Sequence, residues 1–294
     1  MKSLLALVRR EFIEHRGAFL YAPAIILAVL AVVMFSGVTF GRFSAAQKLG
    51  IISGVKGFEF GFIAISGLWF VYLMAALFFY FADAFSADGR NNAMLFWKSM
   101  PQSDFKMLAS KMTAGLTLFP ALVFLAAMVS GLIVFIGTVI MVFTVPDFRL
   151  SDPALYLYTA ANVAGFGLSY LVLALLWYAP FFAWVGLLSS LFRRWSIPLA
   201  FLIPGVIGLA ENLLFRDSGP NAGYFLSYLH HRADFSLDHQ MMGGVLMQPG
   251  PIDAGFVLSQ FVSTIDWTQM VGGIIVAALF VYIASEFRRR AVAN

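Results

Sequence analysis

Between Ala18 and Phe40 the chain carries no charged residue, and the same holds from Phe62 to Phe81, from Met112 to Val145 and from Leu155 to Phe192. At about 1.5 Å of helical rise per residue, roughly 20 apolar residues cross a hydrocarbon layer about 30 Å thick. A backbone without access to water must satisfy its own N–H and C=O groups, so runs of this length fold as helices. Two further runs, Ile197 to Phe215 and Trp267 to Phe287, each admit one carboxylate, Glu211 and Glu286. The composition agrees: 61% of residues are hydrophobic and 12% charged, against about half and a quarter in soluble domains. The sequence therefore predicts an all-α integral membrane protein with six transmembrane helices, forming a single transmembrane domain over 1–294.

The segments between these runs differ in character. Residues 1–17 read as an amphipathic interfacial helix, with Leu4, Leu5, Val8 and Phe12 on one side and Arg9, Arg10, Glu14 and Arg16 mostly elsewhere. Its apolar run is short and no small-residue cleavage site follows, so it does not read as a signal peptide. Gly41 to Gly61 reads as a glycine-rich external connector. Asp83 to Lys111 is a polar stretch, and the third run after it exceeds one bilayer thickness, so that helix tilts or protrudes. Pro180 is expected to kink the fourth span, and Pro198, Pro204, Gly205 and Gly208 to break or bend the fifth. Residues 216–265 form the largest polar region, an external loop between spans five and six.

Basic residues sort to the cytoplasmic side of short loops and span flanks. With the N-terminus inside, that side holds Lys2, Arg9, Arg10, Arg16, Arg90, Lys98, Lys106, Lys111, Arg193, Arg194 and Arg288 to Arg290, thirteen of the 19 Lys and Arg residues. Both termini and the 83–111 stretch are then cytoplasmic.

Several chemistries are absent. There is no cysteine, hence no disulfide framework or thiolate site. No glycine-rich phosphate cradle ends in Lys and Ser or Thr; the nearest approach, GIISGVKGF from Gly50, has the wrong spacing. No zinc-protease helix or nucleophile elbow occurs. The chain is not expected to be an enzyme, it binds no cofactor of its own on this reading, and nothing points to nucleic acid.

What it does carry is a loop with bulky apolar groups at its tip. In 83–111, Met94, Leu95, Phe96 and Trp97 are placed to dock into a partner's groove, with Arg90 before them, Lys98 at the polar rim and Pro101 ending the element. Ser103 or Asp104 would cap the third helix, passing a push on the tip to a rigid lever. The plainer alternative rests the aromatic rings on the lipid surface. Glu211, an ionisable group inside a span, is a candidate for a substrate path or gate together with Pro180 and Pro204, set against simple access to the outer interface. His230, His231 and His239, with Asp234 and Asp238, are weak metal candidates in a region expected to be solvated anyway. Gly273 and Ala277 form a small-xxx-small pair for close helix packing.

The interfacial helix, the loop R-N-N-A-M-L-F-W-K-S-M-P-Q-S-D from Arg90 to Asp104, Ser110 with Lys111, and the later set Trp177 to Pro180, Trp184, Ser190, Arg193, Arg194, Pro198, Pro204 and Glu211 together resemble the membrane subunit of bacterial ABC exporters of type 2. That resemblance implies a multi-pass permease in the bacterial inner membrane, a homodimer or heterodimer bound to ATP-binding-cassette subunits that supply ATP and Mg, with 83–111 as the coupling loop and a hydrophobic or amphipathic cargo moved outward. The region 216–265 matches no part of the pattern. Alternatives are a permease supporting metal or cofactor maturation outside the membrane, a non-transporting scaffold or receptor, and an intramembrane enzyme built on Glu211 and Asn212.

Overall fold

The computed structural model of the chain describes residues 2–39, 54–90, 103–144, 150–214, 224–235 and 250–291. Every regular element among them is helical. Helix α1 (Lys2–Arg16) runs through a π-turn (Gly17–Tyr21) into α2 (Ala22–Thr39) without a break, and α3 covers Gly54–Arg90. Helix α4 (Asp104–Thr113) likewise passes through a π-turn (Ala114–Leu118) into α5 (Phe119–Thr144). Helix α6 (Pro153–Phe192) ends in a 3-10 turn, Arg193–Trp195, from which α7 (Ser196–Leu214) sets out. Two short helices follow, α8 (Tyr224–Ala233) and α9 (Ala254–Thr264), and α10 (Trp267–Ala291) closes the bundle.

The centre of the bundle is α6, which packs against α3, α7, α9 and α10, while α3 also meets α5 and α5 meets α2. Aromatic side chains fill this centre: Phe81 stacks on Phe182 with ring centroids 5.4 Å apart, and Phe119 stacks on Phe19 at 3.9 Å. The outward faces are apolar too, with Ile25, Val29, Val32 and Phe35 exposed on α2 and Phe201, Leu202, Leu209 and Leu213 on α7. Apolar surface that continuous has no stable place in water. Taking helices joined without a break together, five stretches are long and apolar enough to cross a membrane: Leu4–Gly37, Gly54–Ala87, Asp104–Phe143, Pro153–Leu214 and Trp267–Arg290. The fourth contains the turn at Arg193–Trp195, after which Ala200 packs back on Val185 and Leu188 of α6 and Ala82 of α3.

Several segment boundaries differ from the sequence-based expectation. Helix α3 takes in the end of the predicted connector, because Val55, Phe58 and Phe62 recur at helical spacing and bury against Val134 and Tyr156. It also takes in the start of the predicted polar loop, where Ala84 and Phe85 belong to the main core; only 91–102 separates it from the Ser103 cap of α4, and those residues lie outside the described ones. The fifth span is not broken. Pro198 sits in the first turn of α7, where a missing N–H leaves no gap, and Pro204 is carried inside a continuous helix. Helix α6 likewise stays helical through Pro180. Along α1 and the π-turn after it the inward stripe is Leu7, Glu11 and Phe19, whereas Leu5 is exposed, so the apolar side expected from Leu4, Leu5, Val8 and Phe12 is rotated. Residues 216–265 do not form one polar loop: Val257 and Phe261 of α9 are buried, and Phe261 joins a cluster with Trp177 and Met270.

Candidate functional site

At one end of the bundle the chain gathers α1, the end of α3, the start of α4, the α6–α7 turn and the end of α10, and with them most of the basic residues among those described. Its centre is a buried ion pair. Lys111 Nζ lies 2.8 Å from Glu11 Oε1, and both residues are nearly inaccessible, 2% and 3% exposed. The Tyr80 hydroxyl sits 3.0 Å from Glu11 Oε2 and 3.2 Å from the Lys111 carbonyl, so it donates to one while facing both. His15 places its ring edge-on to Tyr80, centroids 4.8 Å apart, and its Nδ1 3.1 Å from the Glu11 carbonyl. A charge pair taken out of water is tolerated only when its remaining lone pairs and protons find partners, and Tyr80 serves the second Glu11 oxygen here.

Both π-turns lie beside this pair. A π-turn widens the helix by one residue and loosens its hydrogen bonding, a distortion common at functional sites. In the first, the Ala18 carbonyl accepts from the Tyr72 hydroxyl, and Phe19 turns inward onto Phe119, which directly follows the second. In the second, Gly115 faces the ring of Phe81 so closely that a Cβ would lie 2.3 Å from it. The stacked rings and the Glu11–Lys111 pair clasp two long helices together at the point where each is distorted. Glu11, Glu14 and His15 bring donor atoms within 4.8 Å of one another, but Lys111 and Arg10 occupy the two carboxylates.

Ser103 caps α4, its side-chain oxygen accepting from Lys106 N at 3.3 Å, with Asp104 in the first turn facing Arg288 of α10 at 4.0 Å. Of the predicted coupling-loop residues, Met94, Leu95, Phe96, Trp97, Lys98 and Pro101 lie outside the described residues, and Arg90 is described only as the last residue of α3. Toward the end of α3, a cleft of about 690 Å³ opens between that helix and the α6–α7 turn, with Asp83, Arg193 and Arg194 on its walls.

The opposite end holds three more buried charged residues, Lys56, Glu59 and Arg232, in segments that the sequence predicted to be external. Glu59, fully buried, accepts from Lys56 Nζ at 2.7 Å and from Ile252 N at 2.8 Å, and Lys56 also donates to the Gly250 carbonyl. Arg232, 2% exposed, donates to the carbonyls of Trp177 and Gln269 at 3.1 and 2.7 Å, and its guanidinium lies 4.4 Å from the centre of the Trp177 ring. Burial pushes the pKa of Arg232 below its ordinary value, against the opposing pull of Tyr228 and Asp266. Trp177 lies three residues before Pro180, so the arginine serves a carbonyl in the turn that the proline disturbs. Trp177 Nε1, Tyr178 and Tyr170 in turn donate to the carbonyls of Arg232, Ala233 and Phe235, fastening the end of α8 to α6.

This arrangement gives other roles to residues singled out from sequence. Gly273 makes room for Arg232, whose Nη2 would lie 1.7 Å from a Cβ there, and Ala277 is buried in the core. Glu211 Oε2 accepts from Phe225 N at 2.9 Å, satisfying a free N–H in the first turn of α8. Pro204 lies within α7 on the same helix. Helix α8 ends at Ala233, just short of Asp234, and His231 on it sits edge-on to Trp177, centroids 6.2 Å apart. Asp238 and His239 lie outside the described residues. The sequence reading missed Glu11, Tyr80 and Lys111 as one cluster. A signal for Glu11 existed, since it falls on the stripe Leu7, Glu11, His15, Phe19 at four-residue spacing, but its partner is 100 residues away.

Helix length, composition and outward apolar faces define a multi-pass membrane protein. Comparison with protein-family models, with curated proteins and with solved structures yields no match to this chain.

Proposed function

We propose that the chain is the membrane-spanning permease subunit of an ATP-binding-cassette exporter of type 2. In this reading it crosses a bacterial inner membrane six times, with α6 and α7 as separate passages and both termini in the cytoplasm. A separate subunit binds and hydrolyses ATP with Mg, and the permease, as a dimer, moves a hydrophobic or amphipathic substrate outward. One observation supports this reading most. From its Ser103 cap the third span runs helical for 40 residues, about 60 Å, so whatever grips residues 91–102 acts on a rod clasped to α1 at Glu11 and Lys111. The apolar tip Met94 to Trp97 is the grip, and Glu211, bonded to α8, closes the outer end of the route.

The test is purification of the tagged chain from its native membrane with ATP hydrolysis assayed on the eluate. Wild type is expected to bring down an ATP-binding subunit, and Trp97→Ala is expected to reach the membrane at normal levels without it. An ATPase retained by Trp97→Ala removes the coupling role of the loop; none with the wild type removes the transporter reading.

A further inference from the structure

The cleft between the end of α3 and the α6–α7 turn combines cationic and aromatic features that suit a lipid headgroup. Its walls include the apolar side chains of Phe79, Phe192 and Trp195, exposed by 61, 48 and 58%, and the cations Arg193 and Arg194. Phe79 belongs to α3, and Phe192 ends α6 at the point where the long apolar stretch turns, so the cleft opens at the edge of the hydrocarbon layer. Neither arginine lies within 4.0 Å of a carboxylate among the described residues. A single carboxylate, Asp83, shares the wall and has a partner of its own.

The turn is also held in a costly shape. Arg193 has φ +51°, a region that residues with a Cβ enter only when the surroundings impose it. Three residues on, Ser196, 2% exposed, ties the turn to α3, its hydroxyl donating to the Ala82 carbonyl at 3.0 Å. Two guanidinium groups, always charged and shaped to grip phosphate oxygens in pairs, thus line one cleft with aromatic side chains of the kind that settle at the headgroup level.

We infer that this cleft is a binding site for an anionic phospholipid, its phosphodiester held by Arg193 and Arg194 and its acyl chains lying along Phe79, Phe192 and Trp195. A basic pocket between spans on one face of a membrane protein is suited to such a headgroup. A free phosphate would meet the same arginines but gain nothing from the aromatic wall, and an aminophospholipid would depend on Asp83 for its ammonium.

The experiment uses the full chain in phosphatidylcholine nanodiscs with graded amounts of lipid brominated on its acyl chains. Trp195 quenching is read as the difference between wild type and Trp195→Phe. Brominated phosphatidylglycerol is expected to quench half-maximally at about 30-fold lower mole fraction than brominated phosphatidylcholine, from about 5-fold for each basic residue. Arg193→Gln/Arg194→Gln is expected to lose that preference while keeping its thermal transition. Should the double variant fail to fold, the wild-type comparison between lipids still decides. Equal quenching by the two lipids overturns the proposal, and so does an unchanged preference in the folded double variant. Displacement of the brominated lipid by millimolar inorganic phosphate reduces the cleft to a simple anion site and overturns the lipid assignment, as does quenching by brominated phosphatidylethanolamine equal to that by phosphatidylglycerol.

Discussion

Buried charges decide most of what single substitutions should do here. Removing Lys111 strands the Glu11 carboxylate in a dry site, so Lys111→Met is expected to cost about 3–5 kcal/mol. Glu11→Gln/Lys111→Met, which removes both charges and leaves Tyr80 a neutral acceptor, should recover most of that loss; thermal unfolding in detergent micelles measures both. At the other end, Arg232→Met leaves the Trp177 and Gln269 carbonyls without their donor and is expected to cost about 3 kcal/mol. Gly273→Ala should destabilise the wild type, because its Cβ would overlap a pinned guanidinium. In the Arg232→Met background it should do little, and a double-mutant cycle reads that coupling directly. Neither cluster is legible residue by residue. Lys56, Arg232 and Lys111 look in sequence like ordinary span-flanking cations, and what makes them structural is a carboxylate or carbonyl supplied from a distant helix.

At the scale of elements, apolar run length foretold the long helices, while their ends depended on caps and neighbours. Ser103, named from sequence as one of two capping residues, satisfies an orphan N–H of α4. Ser103→Ala is expected to cost about 1 kcal/mol and to raise amide exchange at Lys106 and Met107 without reaching α5, which hydrogen–deuterium exchange can resolve. Of the break or bend expected in α7 the break does not occur: Pro198 falls in the first turn, where a proline costs little, and the helix runs on through Pro204. The two π-turns had no sequence signal. They lie where two contacts join the same pair of helices, the Glu11–Lys111 ion pair on one side and the stacked rings of Phe19 and Phe119 on the other.

For the whole molecule, the arrangement of charge makes a topology that is open to direct measurement. The chain has no cysteine, so Arg289→Cys at the basic end and Ser263→Cys near the opposite end each give a single reporter. In intact cells a membrane-impermeant maleimide is expected to label Ser263→Cys only, and both in opened membranes; the reverse pattern inverts the orientation. The membrane class, the all-helical fold and the approximate extent of the spans were determined by the sequence alone, because hydrocarbon accepts only long apolar segments that satisfy their own backbones. Which polar residues are buried, which face α1 turns inward, that Glu11 meets Lys111 and Arg232 meets Trp177, and that two arginines crown an aromatic cleft were decided only by tertiary structure. The physical reason is that burial of a charge depends on a partner, and those partners lie on helices far apart in the chain.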